Sequence, residues 1–156
     1  MNKNWKLGIG NWKFIKGFTL IELLVVITVI GLLSAMVLVG LSGVRAQGRD
    51  TRRIADLRNT QNALEIYFNK ENTYPGQTDW ISLETELVSA DIGVKRLPRD
   101  PLNRSSYQYE YRSSGNGLHY VLKATLESGD SSALRDDVDG TVYGLGCDDP
   151  GYCIEL

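Results

Sequence analysis

The sequence contains a single histidine, His119, and no catalytic constellation can be recognised in it. A general base must lie within hydrogen-bond reach of its proton donor, and no nucleophile can be identified near the strand predicted to carry His119. A glycine-rich phosphate loop is also missing, because Gly40-Leu41-Ser42-Gly43 lies inside an apolar run. We therefore assign no catalytic residue and no cofactor-binding residue, and we expect a protein that is not an enzyme.

Two further absences mark the N-terminal part of the chain. Residues 1–17 contain lysine but no acid, and residues 18–44 contain no proline and one charged side chain, Glu22. A helix over 18–44 reaches roughly 40 Å, enough to cross a hydrocarbon core of about 30 Å. Basic residues before such a run keep that end cytoplasmic, so the rest of the chain is translocated. A carboxylate there is expensive, which predicts a functional partner for Glu22.

These patterns divide the chain of 156 residues into three parts. We expect a basic leader at 1–17, an apolar helix at 18–44 and one head domain at 45–156, which is long enough for one modest core. The net charge is −2 and the leader is basic, so the remainder is acidic. Phosphate affinity comes from Lys and Arg, so nucleic acid is not indicated as a direct partner.

The segment Gly17-Phe18-Thr19-Leu20-Ile21-Glu22, followed by the apolar run, resembles the prepilin cleavage motif of type IV pilins and type II secretion pseudopilins. The resemblance implies that a prepilin peptidase cuts between Gly17 and Phe18 and then N-methylates Phe18. It also implies that Glu22 supports docking of the subunit into a filament. As the partner of Glu22 we name the freed α-amino group of Phe18 on a neighbouring copy.

The resemblance extends into the head, to about Leu126. Asn72-Thr73-Tyr74-Pro75, then Leu97-Pro98-Arg99-Asp100-Pro101, then a tyrosine-rich strand follow the order seen in major pseudopilins and related pilins. It implies an α+β, pilin-like fold. Such a fold has a long N-terminal helix, half apolar and half amphipathic, packed on a small antiparallel β-sheet with a loop-rich C-terminus.

The residues of the head predict the same elements. Ile54, Leu57, Leu64 and Phe68 share one face of a helix that should end near Asn72. The first turns of that helix are strongly basic, which fits either contact with headgroups and neighbouring acids or a solvated face; the residues are Arg45, Arg49, Arg52, Arg53 and Arg58. Ser82 could cap a short helix from Leu83 to about Ala90.

Two alternating runs around Ser113-Ser114-Gly115-Asn116-Gly117 predict a β-hairpin. Tyr107, Tyr109 and Tyr111 alternate with polar residues in the first run, and 118–126 alternate in the second. Two strands alone are marginally stable, so we expect the hairpin to pack on the amphipathic helix with a third strand. The tyrosines are expected in the sheet rather than in a binding platform.

Cys147 and Cys153 are the two cysteines of the chain. They cannot form a zinc site with one distant histidine, because such a site needs four ligands or three and a water. In a translocated head we expect them to form a disulfide, worth roughly 2 kcal/mol on the chain-entropy model. A pair of unlinked thiols is the alternative.

The tail after Glu127 is acidic and rich in glycine, and we expect loops there. Clustered carboxylates on flexible loops are what calcium prefers, and the resemblance implies a calcium-binding loop near the C-terminus. The candidate ligands are Asp137, Asp139, Asp148 and Asp149. Their spacing does not match that loop or an EF-hand, so a solvated acidic tail is the other interpretation and we assign no metal site.

Other readings of the N-terminus remain open. Val44-Arg45-Ala46 offers small residues for a secretory cleavage that would start the mature protein at Gln47. An ordinary signal anchor that happens to contain Glu22 would leave the leader intact. Either reading predicts a monomeric membrane-anchored or secreted binding domain.

The functional prediction is a structural subunit of a type IV pilus, assembled from the membrane into a helical surface filament after leader cleavage. The alternative is a major pseudopilin of a type II secretion or DNA-uptake system. The implied partners are further copies of the chain, a prepilin peptidase, an assembly platform protein and its ATPase. The precursor is expected in the cytoplasmic membrane with its head outside, and the assembled subunit in an extracellular filament.

Overall fold

The computed structural model describes residues 17–76, 78–104 and 106–156, with 37–41 described by their backbone alone. The predicted leader lies outside these ranges except for Gly17. The described elements, in chain order, are α1 (Leu20–Glu71), α2 (Trp80–Ser89), β1 (Glu110–Ser113), β2 (Tyr120–Thr125), a short 3₁₀ helix (Ser132–Arg135), β3 (Thr141–Val142), β4 (Leu145–Gly146) and β5 (Gly151–Glu155). The chain forms two compact units, one up to Gly40 and one from Leu41 to Leu156.

The first unit presents its apolar side chains outward. The large apolar residues described between Phe18 and Met36 are all exposed, from 46% at Val26 to 89% at Leu20. Within the described residues, no helix has an apolar stretch long enough to cross a membrane.

The second unit contains a three-stranded antiparallel sheet in the order β1-β2-β5. The predicted hairpin is its first half, with Tyr111 opposite Leu122. The third strand is β5, which places Ile154 opposite Leu122 on the other side. The tail also forms the β3–β4 hairpin, so the loop-rich C-terminus contains short strands between its loops.

The core of the second unit lies between α1 and one face of this sheet, which confirms the α+β prediction. Leu57 and Leu64 are fully buried, and Ile54 and Phe68 pack at the edge of the same cluster. The facing sheet residues are buried as well: Tyr111, Tyr120, Leu122, Ala124, Tyr152 and Ile154. The helical stripe at spacings of three, seven and four therefore located the buried face.

The start of α2 differs from the prediction. The N-cap is Asp79, whose carboxylate accepts hydrogen bonds from the backbone N–H groups of Ile81 and Ser82 at 3.0 and 2.9 Å. Ser82 therefore lies inside the helix rather than at its cap. Starting the helix earlier lets Trp80 join Leu83 in the core, and that burial favours the longer helix.

Three buried tyrosines of the head donate hydrogen bonds to carboxylates on α1. Glu65 accepts hydrogen bonds from the hydroxyls of Tyr74 at 3.0 Å and Tyr120 at 3.2 Å. Asp56 accepts one from Tyr109 at 2.8 Å. Burial, together with the bond to Glu65, raises the pKa of Tyr74 to about 12. These bonds fix the register of the sheet against the helix without leaving a polar group unpaired.

Candidate assembly site and the groups that fix the head

The predicted cleavage segment is an exposed, non-helical stretch immediately before α1. Gly17, Phe18 and Thr19 precede the first helical residue, Leu20, and the Phe18 side chain is 83% exposed. A Cβ added at Gly17 would meet no atom within 4 Å. Packing within the described residues therefore places no demand for glycine at position 17.

Thr19 and Glu22 form a reciprocal cap at the start of α1. The backbone N–H of Thr19 donates to Glu22 Oε2 at 2.9 Å, and the Thr19 hydroxyl donates to the same oxygen at 2.8 Å. In return the backbone N–H of Glu22 donates to Thr19 Oγ1 at 3.3 Å. This is a capping box, which satisfies donors at a helix N-terminus that would otherwise be unpaired.

The cap gives Glu22 a partner within its own chain before any assembly. Its carboxylate lies in the first turn of α1, where the helix dipole favours negative charge. Among the described residues, both donors converge on Oε2, and Oε1 receives no hydrogen bond. The site can therefore accept one further donor, such as an ammonium group, without dismantling the helix start.

The surroundings of Glu22 are apolar. Phe18, Ile21, Val25 and Val26 line a shallow pocket with it, and all four side chains are exposed. If other copies covered this surface, the carboxylate would lose its water. A buried carboxylate that lacks a cationic partner protonates or destabilises its surroundings, so Glu22 could stay charged under such a cover only with a cation beside it.

Arg53 is a fully buried charge at the centre of the head. Its Nη1 lies 2.7 Å from an oxygen of Asp50 and 2.7 Å from an oxygen of Glu127. Its Nε and Nη2 form a fork with Asp100, at 2.6 and 3.1 Å, and its guanidinium stacks 4.8 Å from the ring centre of Tyr107. This network ties α1 to the turn at Asp100 and to the chain after β2.

Sequence patterns missed this network because arginines on an amphipathic helix normally indicate a solvated face. Arg49 also points into the head and forms a bidentate pair with Glu127 at 2.6 Å. Arg58 donates to the Tyr152 hydroxyl at 3.3 Å. Arg52 remains exposed and lies 3.7 Å from Asp56. Arg49 and Arg53 are therefore engaged within the subunit, whereas Arg45, Arg52 and Arg58 are exposed.

The expected disulfide is present. Cys147 and Cys153 are bonded and almost fully buried. With Val121 and Leu145 they form a small second core, on which Val138 and Val142 pack. The bond thus joins the chain after β4 to the middle of β5.

Three of the four proposed calcium ligands come together. Asp137, Asp139 and Asp149 place carboxylate oxygens within 4.8 Å of one another, and Asp148 is not in this group. Asp137 Oδ2 accepts a hydrogen bond from the Cys153 backbone N–H at 2.9 Å. Its Oδ1 is buried with no hydrogen-bond partner among the described residues, and burial raises the pKa of this carboxyl.

His119 is exposed, and its Nδ1 lies 3.0 Å from the carbonyl of Leu156. This contact involves backbone and gives the imidazole no catalytic partner among the described residues. The capping box was also missed in the sequence, although Thr-x-x-Glu before an apolar run is its recognised signature. The resemblance to the cleavage motif predicts a role for Glu22 alone.

Comparison with known proteins gives a match to one protein family. The family described as "Prokaryotic N-terminal methylation motif" matches residues 12–38, which include the cleavage segment and the capping box. No solved structure gives a significant match.

Curated relatives match over longer stretches. Type II secretion system core protein G of Escherichia coli strain K12 is 30% identical over 139 residues, covering 83% of this chain and 92% of that protein. The same core protein of Pectobacterium carotovorum is 30% identical over 95 residues, covering 55% of this chain and 61% of its own length. The type IV wide pilus major component PilA4 of Thermus thermophilus is 37% identical over 83 residues, covering 53% of this chain and 57% of that protein.

Proposed function

Because this chain belongs to the family of type IV pilins and type II secretion core protein G, we propose that it is the main repeating subunit of a type II secretion pseudopilus. The observation that carries this proposal is the match to the Escherichia coli core protein over 92% of its length, head included. The match to the wide-pilus component covers 57% of that protein. Our first prediction, a type IV pilus subunit, is therefore less well supported than its alternative.

We propose that the chain is made as a membrane-anchored precursor. The lysines of the leader hold the N-terminus in the cytoplasm, and the head is exported. A prepilin peptidase then cuts between Gly17 and Phe18 and methylates the new amino group. Three observations support this step: the exposed, non-helical backbone at the cut, the open space around Gly17 and the methylation motif over residues 12–38.

Cleavage creates a cation beside which Glu22 could stay charged in its apolar surroundings. In the precursor the Phe18 nitrogen is an amide, whereas in the mature chain it carries a positive charge. The Phe18 ammonium of one copy can approach Glu22 Oε1 of the next while Thr19 keeps Oε2. The exposed apolar residues of α1 then pack against other copies, and repetition of this head-to-tail contact gives an open helical polymer.

We also propose the partners of filament assembly. Besides the peptidase, polymerisation from a membrane requires a platform protein and an ATPase that supplies work. Within the described residues, Arg49 and Arg53 of α1 donate hydrogen bonds to carboxylates of the head. We therefore propose that partners bind the exposed apolar surface of the first unit.

The test that separates the two filament types is deletion of this gene and complementation with the intact chain. A pseudopilin predicts that secreted proteins accumulate inside the cell envelope, while surface filaments remain in the sheared fraction. A pilus subunit predicts the reverse. Secretion and sheared filaments that are both unchanged would contradict the proposal.

We also propose, as a second candidate function, that the acidic cluster of the head binds calcium. The observations in favour are the buried Asp137 Oδ1, which has no hydrogen-bond partner among the described residues, and the grouping of Asp137 with Asp139 and Asp149. Carboxylate oxygens on loops are the ligands that calcium prefers. Bound calcium would screen the repulsion between these acids and hold the loop that contains Asp137.

This second proposal predicts that a chelator lowers the thermal midpoint of the head and that added calcium restores it. Asp139→Asn should abolish the response. Asp136→Asn is the matched control, because Asp136 is exposed and outside the group. An unchanged midpoint with and without chelator would retire the calcium site.

A further inference from the structure

Five arginines of α1 follow the apolar run within about four helical turns; they are Arg45, Arg49, Arg52, Arg53 and Arg58. In the precursor proposed for this chain they lie on the translocated side, where basic residues close to a membrane span are less common than on the cytoplasmic side. Some of these charges are compensated by acids of the head, and others are not.

Arg49 and Arg53 have carboxylate partners within the head. Arg49 pairs with Glu127 at 2.6 Å. Arg53 pairs with Asp50 at 2.7 Å and with Asp100 at 2.6 Å. These contacts fix both guanidinium groups against the head, so we assign neither of them to a ligand.

Arg45 and Arg52 have no comparable partner. Arg45 is exposed, and among the described residues its side chain forms no ion pair and no hydrogen bond. The side chain of Arg52 is 64% exposed, and its ion pair with Asp56 Oδ2 is 3.7 Å long. That oxygen already accepts the Tyr109 hydroxyl at 2.8 Å. An exposed pair of this length contributes little, so both guanidinium groups are accessible to an anion.

The two accessible arginines lie on one face of α1. Positions 45 and 52 differ by about 20° around the helix axis and by about 10 Å along it. The head does not cover the helix beside this face. Val44 is 67% exposed, and a Cβ added at Gly48 would meet no atom within 4 Å. The face therefore presents two positive charges, one helical repeat apart, on an open surface.

The direction of these side chains matters as well. Side chains of an α-helix point back towards its N-terminus, so Arg45 and Arg52 point towards Val44, the last residue of the apolar run. In a membrane-anchored chain the headgroup layer begins where the apolar run ends, and it is roughly 5–8 Å deep. Arg45 is then within the layer of phosphates, and Arg52 points back into it. A guanidinium group can bind a phosphate through two parallel N–H···O bonds.

We propose that Arg45 and Arg52 bind the phosphates of anionic phospholipids and so hold the membrane-proximal end of the head against the bilayer. The proposal rests on the membrane-anchored precursor proposed for this chain. An acidic surface on another copy is the competing partner. The lipid is favoured because both arginines lie within about two turns of Val44 and point towards it. A subunit that leaves the bilayer for a filament gives up these contacts.

The test is native mass spectrometry of the full chain in a neutral detergent, titrated with phosphatidylglycerol or with phosphatidylcholine of the same acyl chains. Both lipids carry a phosphate, but only phosphatidylglycerol has a net charge. The preference is the ratio of the two dissociation constants. We expect the unmodified chain to prefer phosphatidylglycerol, and we expect R45Q/R52Q to lose about fivefold of that preference for each arginine removed. R45K/R52K retains both charges and should keep most of the preference.

R58Q/R135Q is the matched control, because it removes the same charge from exposed arginines outside this face. Arg58 lies about 140° away around α1, and Arg135 belongs to the 3₁₀ helix. We expect the preference of the unmodified chain from this control. The lysines of the leader are present in every sample, so their contribution to lipid binding is the same throughout.

Three results would overturn the proposal. R45Q/R52Q could keep the preference of the unmodified chain. R58Q/R135Q could lose as much preference as R45Q/R52Q, which would make the effect one of total charge. R45Q/R52Q could keep its lipid preference and lose cross-linking between copies, which would assign the arginines to a neighbouring subunit.

Flotation of the chain with phosphatidylcholine vesicles after an alkaline carbonate wash tests the membrane anchor separately. A chain that floats but shows no arginine-dependent preference contradicts the lipid contact and leaves the anchored precursor standing. A chain that fails to float but shows this preference supports the lipid contact and contradicts the anchored precursor.

Discussion

The two units of this chain differ in whether their side chains find contacts within the chain. In the head even the guanidinium of Arg53 is fully buried, and it finds Asp50, Asp100 and Glu127 within the same subunit. In the first unit the described large apolar side chains are exposed. The buried charge of the head therefore finds its partners within the chain. The apolar side chains described in the first unit can be buried only by contact with other molecules. Changes in the head should alter stability, and changes near Glu22 should alter assembly.

The largest expected effect is the loss of Arg53. Arg53→Met leaves three carboxylates close together without their cation, and breaking a buried ion network costs about 3–5 kcal/mol. Arg52→Met is the matched control, because Arg52 is exposed and its contact with Asp56 is 3.7 Å; such pairs contribute less than about 1 kcal/mol. Urea unfolding of the full chain in detergent measures both. Equal losses in the two variants would contradict the role of the Arg53 network.

Acid should weaken the same network. Hydrogen bonding from Arg49, reinforced by Arg53 and opposed by burial, lowers the pKa of Glu127 from 4.5 to about 2. A carboxylate with a lowered folded-state pKa gives stability that is present above its unfolded pKa. This contribution should be lost as the pH falls from about 5 towards 2. Glu127→Gln should be less stable at neutral pH and flatter over that range, and parallel profiles for the two proteins would rule the idea out.

Glu22 should show the opposite behaviour from Arg53. Glu22→Ala is expected to be inserted and cleaved normally, with an unchanged thermal midpoint of the head. Assembled copies should fall at least about tenfold, equivalent to roughly 1.4 kcal/mol per contact. Quantitative immunoblots of processed and assembled protein give the two numbers. Normal assembly from this variant would remove the docking role of Glu22.

The smallest effect is expected at Thr19. Thr19→Val removes the hydroxyl of the capping box and should weaken the start of α1 by about 1 kcal/mol. Thr19→Ser retains the hydroxyl and serves as the control. Faster hydrogen exchange at the first amides of α1 should appear in Thr19→Val alone. Identical exchange in both variants would show that the cap does not hold the helix start.

The parts of the fold that follow simple periodicity could be predicted from the sequence. Periodicity predicted the buried face of α1 at Leu57 and Leu64 and the hairpin around Gly115, and the disulfide followed from two cysteines in a translocated head. A third strand was predicted but not located, because β5 is five residues long and follows the turn-forming sequence Asp148-Asp149-Pro150. Its strand pairing depends on β2, which is distant in sequence, and no local pattern reports such a contact.

The candidate sites also divide into those that local sequence predicts and those that depend on residues distant in sequence. The motif around Gly17 could be read from local sequence, because the proposed peptidase would recognise a local sequence. The network around Arg53 could not, since its acids come from three separate parts of the chain, including Asp100 and Glu127. Asp79 could have been preferred to Ser82 as the cap of α2, because Trp80 is apolar and gains burial only in the longer helix.

The central claim is that the Phe18 amino group of one copy meets Glu22 of another. Assembled protein made from mixed ¹⁴N- and ¹⁵N-labelled subunits can be treated with a membrane-permeant carbodiimide, which joins a carboxylate to an amine in contact with it. Mass spectrometry of the digested product should find Phe18 coupled to Glu22 in peptides of hybrid isotope composition. Coupling confined to peptides of one isotope, or Glu22 coupled only to other amines, would contradict the claim.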